Sequence, residues 1–148
     1  MTETNAERCR RAYAAFSALD MGTLSELIAN DAAWIVGGRN ALSGIYHGRS
    51  SVFDYFGKLF GATEGTLQLE LLTLTEIVPD TVVACVNVTA SARGVTFDEE
   101  IVQQLHLRQG QAIACRSFVE NGYLWDELIG AAVITLPEQQ ARTAPQNA

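Results

Sequence analysis

The most informative segment of the chain is Trp34-Ile-Val-Gly-Gly-Arg-Asn-Ala-Leu-Ser-Gly-Ile-Tyr-His-Gly-Arg-Ser-Ser-Val-Phe-Asp-Tyr-Phe56. Its first residues are apolar and predict the end of a short strand. Gly37 and Gly38 follow, and glycine adopts the backbone angles of a tight turn more readily than other residues. The chain is therefore expected to turn back as a small hairpin before Ser50 or Ser51 caps an amphipathic helix. A strand, a turn and a helix in this order indicate the wall of a pocket.

Two helices are predicted before this segment. Thr4 and Glu7 have the spacing of a capping box, and apolar residues then recur every three or four positions, which predicts a helix over 5–19. Thr23 and Glu26 repeat the spacing and predict a second, short helix.

Four strand-like stretches come after it. In the first, the alternation of Leu67, Leu69 and Leu71 shifts phase to Leu72 and Leu74, which indicates a bulge near Leu71. A bulge bends and twists a strand, as a sheet that encloses a pocket requires. The other three strands are expected over 82–93, 96–108 and 111–120. The sequence therefore predicts an α+β fold, with a curved antiparallel sheet wrapped around the N-terminal helices.

Composition limits the classes of function. The chain has 148 residues, of which 48% are hydrophobic, and this favours one globular domain over 1–136 with a mobile tail over 137–148. The net charge of −7 and the scattered basic residues argue against nucleic acid as a partner. No stretch has the length of a membrane span, and the acidic N-terminus is unlike a signal peptide. We expect no membrane association and a cytoplasmic location.

The cysteines and histidines carry no recognisable metal or disulfide pattern. Cys9, Cys85 and Cys115 are odd in number and lack CxxC spacing. His47 and His106 are far apart and outside any HExxH motif. We therefore expect no bound metal.

The chain resembles the nuclear transport factor 2-like superfamily, which includes ketosteroid isomerases, limonene epoxide hydrolases and SnoaL-like polyketide cyclases. The resemblance covers nearly everything from Ala6 to Gly130. It implies a cone-shaped α+β fold and a homodimer formed through the outer face of the sheet. The stretches that carry it are Tyr13 to Phe16, Asn30 to Trp34, Leu42 to Arg49, and Leu107 to Phe118.

The catalytic residues of two branches are missing. Ketosteroid isomerases use a base Asp together with a Tyr and a protonated Asp that hold the substrate oxygen. The resemblance places these three roles on Ile35, on Ala12 beside Tyr13, and near Gln103. In limonene epoxide hydrolases an Arg-x-Asp pair and a further Asp carry the reaction. The matching positions here are 87–89 and, for the last Asp, Ser117.

The SnoaL-like branch leaves one chemical match. Its acid/base carboxylate lies near the end of the last strand, and counting from Gly110 puts Glu120 there. Burial against Phe118 would raise the pKa of this carboxyl group and suit it to proton transfer, whereas the alternative is a solvated strand-end Glu. Gln103 falls where some relatives have a His.

Other side chains are candidates for the pocket. Tyr46 follows the hairpin turn, so its hydroxyl is expected either to orient a substrate oxygen as a catalytic group or to lie at the edge of the core. Trp34 is expected to form a wall or to pack in the core, and Asn87 to face the pocket or the outer surface. The predicted substrate-binding set is Trp34, Phe56, Asn87, Gln103 and Phe118.

The resemblance implies a cofactor-independent enzyme of bacterial specialised metabolism. It would act on a hydrophobic polyketide-like or terpenoid-like molecule by acid/base catalysis, in a cyclisation or isomerisation, with Glu120 and Tyr46 as catalytic residues. Three alternatives stay open: an enzyme that opens an epoxide, a noncatalytic small-molecule binding protein of the same fold, and a dimerisation module whose cone is filled by large side chains.

Overall fold

The computed structural model describes residues 2–131, so the tail predicted over 137–148 lies outside the described residues. The described part of the chain contains four helices and six strands. In chain order they are α1 (Asn5–Ser17), α2 (Met21–Leu27), β1 (Ile28–Val36), β2 (Gly44–His47), α3 (Arg49–Ala62), β3 (Gln68–Val78), β4 (Thr81–Ala92), β5 (Val95–Arg108), β6 (Gln111–Phe118) and α4 (Gly122–Ile129).

The six strands form one sheet in the order β2-β1-β6-β5-β4-β3. The β3 to β6 strands pair with their sequence neighbours as antiparallel partners, and β1 and β2 form the predicted hairpin. The β1 strand also pairs with β6, and this pair is parallel. The predicted α+β fold is confirmed, but the sheet is mixed, because β1 reaches β6 from the end of α2 rather than through a tight turn.

The two faces of the sheet differ in chemistry. Along β4 every second residue is buried against the helices, from Val82 through Val86 to Ala92, and the residues between them are half-buried on the other face. The register of β3 against β4 shifts between Leu71 and Thr73, which confirms the predicted bulge. The bulge increases the local twist and lets the sheet curve around the helices.

The helix starts are only partly as predicted. Thr4 and Glu7 form the capping box of α1. The second helix begins earlier than expected, because the Asp20 carboxylate accepts hydrogen bonds from the backbone N–H and the hydroxyl of Thr23, at 3.1 and 2.7 Å. The third helix starts at Arg49 after Gly48 and has no side-chain cap, so neither Ser50 nor Ser51 caps it.

The core lies between α3 and the concave face of the sheet. Val52, Tyr55, Phe56 and Leu59 are the buried stripe of α3. The ring of Phe56 stands edge-on to Trp34, with centroids 5.7 Å apart. Burial of these aromatic rings is the main favourable term that holds α3 on the sheet. Within 2–131 no helix has the length and hydropathy needed to cross a membrane.

The backbone conformation of Gly38 in the hairpin turn leads to a prediction about stability. Its φ is +83°, and a Cβ there would lie 2.6 Å from Asp126 Oδ1. A Cβ at Gly37 would meet nothing within 4 Å, and its φ is not positive. Gly38→Ala should therefore lower the free energy of unfolding by about 1–2 kcal/mol, the usual penalty of a left-handed non-glycine residue. Gly37→Ala is the matched control and should unfold like the wild type in urea. Equal stability of the two variants would contradict this assignment.

Candidate functional site

A cavity of about 600 Å³ lies between the helices and the concave face of the sheet. Its walls are mostly apolar, and both tryptophans of the chain, Trp34 and Trp125, line it. The cavity is large enough for a drug-sized molecule. The other aromatic lining residues are Tyr13, Phe16, Tyr55, Phe56, Phe97 and Phe118.

A short chain of hydrogen bonds crosses the cavity wall. The Tyr13 hydroxyl donates to Gln103 Oε1 at 2.5 Å, and Gln103 Nε2 donates to Ser117 Oγ at 2.9 Å. Helix α1 supplies the tyrosine, and the paired residues Gln103 and Ser117 come from β5 and β6. Because Ser117 accepts in this chain and its hydroxyl hydrogen has no acceptor within residues 2–131, this exposed hydroxyl can donate to a ligand or to water. Burial raises the pKa of Tyr13, so the phenol stays protonated.

The Tyr55 hydroxyl is a further polar group in this part of the cavity. Tyr55 is only 9% exposed and lines the cavity from α3. Its hydroxyl makes no hydrogen bond with any atom of residues 2–131. Burial raises its pKa, and the neighbouring Cys115 and Tyr46 add to the effect. Burial also raises the pKa of the Cys115 thiol to about 12, which leaves it protonated and a poor nucleophile at neutral pH.

Two carboxylates line a different part of the cavity. Asp126 of α4 is held by the loop after β1: its Oδ1 accepts from Asn40 Nδ2 at 2.8 Å, and both oxygens accept from the Arg39 backbone N–H at 3.1 Å. Glu120 lies two residues beyond the end of β6 and is exposed. The expected burial of Glu120 is therefore wrong, and Phe118, the residue expected to cover it, is itself 54% exposed.

Five of the seven residues named from the sequence are brought to the cavity. Trp34, Phe56 and Gln103 line its interior, and Phe118 and Glu120 line it at the exposed end of β6.

Tyr46 and Asn87 do not line the cavity. The Tyr46 hydroxyl donates to the backbone carbonyl of Leu42 at 2.7 Å, which uses its hydrogen within the hairpin. Asn87 lies on the outer face of β4, because its neighbours Val86 and Val88 are the buried residues, and its amide donates to Asp98 at 3.0 Å. Both residues are corrections to the sequence-based site.

Sequence reasoning missed Tyr55, Ser117 and Asp126 as polar lining groups. Tyr55 belongs to an apolar helical stripe, where a tyrosine is indistinguishable from a core residue. Asp126 reaches the cavity only because α4 folds back over the end of β1. Among residues 2–131 no three His, Cys, Asp or Glu side chains gather closely enough to hold a metal ion.

The chain is similar to proteins of known sequence and to proteins of known structure. No protein-family model matches the chain. The uncharacterized protein Rv0034 of Mycobacterium tuberculosis is 30% identical over 90 residues, which are 61% of this chain and 69% of that protein. Bal32a, from a soil-derived mobile gene cassette, is 35% identical, with a TM-score of 0.79 over 84% of this chain and 95% of Bal32a.

Two further structures are similar in fold at 20% identity. A nuclear transport factor 2-like protein of unknown function from Burkholderia pseudomallei has a TM-score of 0.72 over 88% of this chain and all of its own. A protein from Jannaschia sp. CCS1, for which a SnoaL-like polyketide cyclase activity is suggested, has a TM-score of 0.65 over 78% of this chain and 85% of its own.

Removing the hydroxyl is expected to affect the stability of the protein differently at the two neighbouring tyrosines. Tyr46→Phe should lower the free energy of unfolding by about 1 kcal/mol, because the hydrogen bond to the Leu42 carbonyl is lost. Tyr55→Phe should leave the free energy of unfolding unchanged or slightly higher, because the Tyr55 hydroxyl has no hydrogen-bond partner in the described residues to lose. Urea denaturation of both variants measures the difference. A greater loss of stability in Tyr55→Phe would show that its hydroxyl has a protein partner.

Proposed function

Because the chain belongs to the family of Bal32a and Rv0034 and has the fold of the nuclear transport factor 2-like superfamily, we propose that it is a small-molecule enzyme of the SnoaL-like type. It binds a hydrophobic multi-ring molecule and moves a proton on it without a cofactor. The observation that carries the proposal is the cavity of about 600 Å³, which has apolar walls and polar groups at separate levels.

The walls favour flat rings. Phe16 stacks on Phe60 with centroids 5.3 Å apart, and it meets Phe56 edge-on at 5.0 Å. Phe97 and Trp125 form a similar edge-on pair in another part of the wall. Rigid aromatic faces favour an aromatic or polycyclic ligand over a flexible chain, because stacking and burial are gained with little loss of side-chain entropy.

The polar groups lie at two levels along β6. The buried Cys115 belongs to the inner part, and Ser117, which is exposed and bonded to Gln103, comes two residues later on the same face, toward the end of the strand. Glu120 follows the end of the strand. Since a strand advances by about 3.3 Å per residue, a ligand that reaches from Cys115 to Glu120 must be longer than one ring.

Glu120 is the proposed acid/base group. Its carboxylate would take a proton from a carbon next to a ligand carbonyl, and the C–H electron pair would form a carbon–carbon double bond while the carbonyl oxygen gains the negative charge. In a cyclisation this carbon would attack a second carbonyl of the same molecule and form a carbon–carbon bond. The proton on Glu120 would then pass to the new alkoxide, which restores the carboxylate. The cavity contributes by holding both reacting carbons close together.

A noncatalytic binding protein is the second candidate, and a specific observation favours it. Ile35, on which the resemblance places the base of ketosteroid isomerases, lines the cavity with an aliphatic side chain that cannot take up a proton. Glu120 is exposed, and its proton transfer would need the bound ligand to reach the rim. Such a protein would sequester its ligand without turnover.

Filling the cavity should abolish binding. Ala12 lines the cavity from α1, whereas Ala14 of the same helix is exposed. Ala12→Phe should weaken the binding of 2,6-diacetylnaphthalene and of 2,6-diisopropylnaphthalene more than tenfold, because its ring takes their place. Ala14→Phe is the matched control and should bind both like the wild type. Calorimetric titration gives the Kd, and quenching of Trp34 and Trp125 fluorescence gives an independent readout. Undiminished affinity in Ala12→Phe would place the binding elsewhere.

Proton transfer can be measured without the natural substrate. The two acetyl groups of 2,6-diacetylnaphthalene make one of them face Glu120 whichever end enters first. The wild type should accelerate deuterium uptake by the acetyl methyl groups in D₂O, followed by proton NMR. Glu120→Gln should lower this rate at least tenfold, since a positioned base contributes about 10²–10⁴-fold, while the Kd stays within about twofold.

Glu127→Gln is the control for this experiment, because Glu127 is exposed on α4 and does not line the cavity. It should exchange like the wild type. A wild type that binds the diketone but exchanges its protons no faster than free solution would refute the enzyme and favour the binding protein.

A further inference from the structure

The chain has four tyrosines, and the structure accounts for the hydroxyls of three of them. The Tyr13 hydroxyl donates to Gln103, and the Tyr46 hydroxyl donates to the Leu42 carbonyl. Tyr123 is 91% exposed, so its hydroxyl is hydrated. Tyr55 is the exception: it is 9% exposed, and no atom in the described part of the chain pairs with its hydroxyl.

An unpaired buried hydroxyl is costly. A buried donor without a partner forfeits the hydrogen bond that water would supply in the unfolded chain, and such groups are rare in folded proteins. A phenylalanine at this position would keep the same ring contacts with Tyr46 and Phe56, whose centroids lie 4.8 and 5.9 Å away. Packing therefore gives no reason for the oxygen of Tyr55.

The cavity provides a reason for the Tyr55 hydroxyl. Tyr55 lines it beside Cys115, and Ser117 is the next residue of β6 on the same face. The surrounding rings hold the Tyr55 ring in place, so a ligand in the cavity would meet the hydroxyl in a fixed direction. A preorganised donor of this kind binds without first losing side-chain entropy.

The chemistry of the free groups defines the ligand atom. Tyr55 and Ser117 each have a hydroxyl hydrogen to donate, and the buried thiol of Cys115 is at most a weak donor. Ser117 is exposed, so the donor at the inner level of the cavity is the buried Tyr55 hydroxyl, which calls for an acceptor on the ligand. A carbonyl oxygen is the acceptor that a hydrophobic ring molecule carries most readily without charge, and the carboxylates Glu120 and Asp126 elsewhere in the lining disfavour anionic ligands.

We propose that the Tyr55 hydroxyl donates a hydrogen bond to a carbonyl oxygen at the inner end of the bound molecule, and so selects ring molecules that carry a ketone over hydrocarbons of the same shape. This inference rests on the proposed function, because the ligand occupies the same cavity. Tyr55 is a specificity-determining residue that touches the substrate, and the proton transfer at Glu120 takes place at the other level.

The test compares two ligands and two tyrosines. The ligands are 2,6-diacetylnaphthalene and 2,6-diisopropylnaphthalene, which have the same number of heavy atoms and differ in the carbonyl oxygens. Calorimetric titration of the wild type should give tighter binding of the diketone. Tyr55→Phe should weaken the diketone about tenfold, which is the usual loss for one hydrogen bond, and leave the hydrocarbon within about twofold.

Tyr46→Phe is the matched control, since its ring lies against Tyr55 but its hydroxyl is bonded outside the cavity. It should bind both ligands like the wild type. A general disturbance of the cavity by Tyr55→Phe would weaken the two ligands equally, and that result would overturn the proposal.

The outcomes separate this proposal from the proposed function. If the wild type binds both ligands and Tyr55→Phe changes neither Kd, the inference is wrong while the cavity remains a binding site. If the wild type binds neither ligand, the proposed function fails and the role of Tyr55 fails with it.

Discussion

Main-chain hydrogen bonds between β1 and β6 set the geometry on which the cavity depends. This parallel pairing puts Trp34 opposite Cys115, while the antiparallel pairing on the other side of β1 puts Trp34 opposite Tyr46. The three side chains consequently share a face and meet α3 as a group. Without the pairing of β1 with β6, the hairpin of β1 and β2 would not extend the sheet. The aromatic residues of α3 would then face no sheet, and no cavity would form between them.

The same alternation that builds the wall decides which polar residues the cavity receives. Gln103 and Ser117 pair across β5 and β6 on the concave face, so they join Tyr13. Asn87 sits on a strand whose concave positions are small and apolar, and its amide is turned outward to Asp98. The sequence of β4 shows two different faces clearly. Which face is concave depends on the neighbouring strands and helices, and that information is not local.

Local signals in the sequence predicted the local features well. The capping box at Thr4, the bulge near Leu71 and the order of helices and strands were all readable, because they depend on residues a few positions apart. The site was less predictable. Tyr46 and Tyr55 are nine positions apart, and their rings are in contact. Only the tertiary structure shows which of the two hydroxyls is hydrogen-bonded to the backbone. No sequence pattern distinguishes the two.

A cavity of about 600 Å³ is too large to be a packing defect. Protein interiors are packed as densely as organic crystals, with few voids larger than a water molecule. A cone that served only as a dimerisation module would be filled by its large aromatic side chains. Here Phe16 packs on Phe56 and on Phe60 instead, and the cavity stays open. An apolar surface left open in this way gives up stability that closer packing would supply. The open cavity, together with the buried Tyr55 hydroxyl that has no partner within residues 2–131, is better explained by a ligand than by folding.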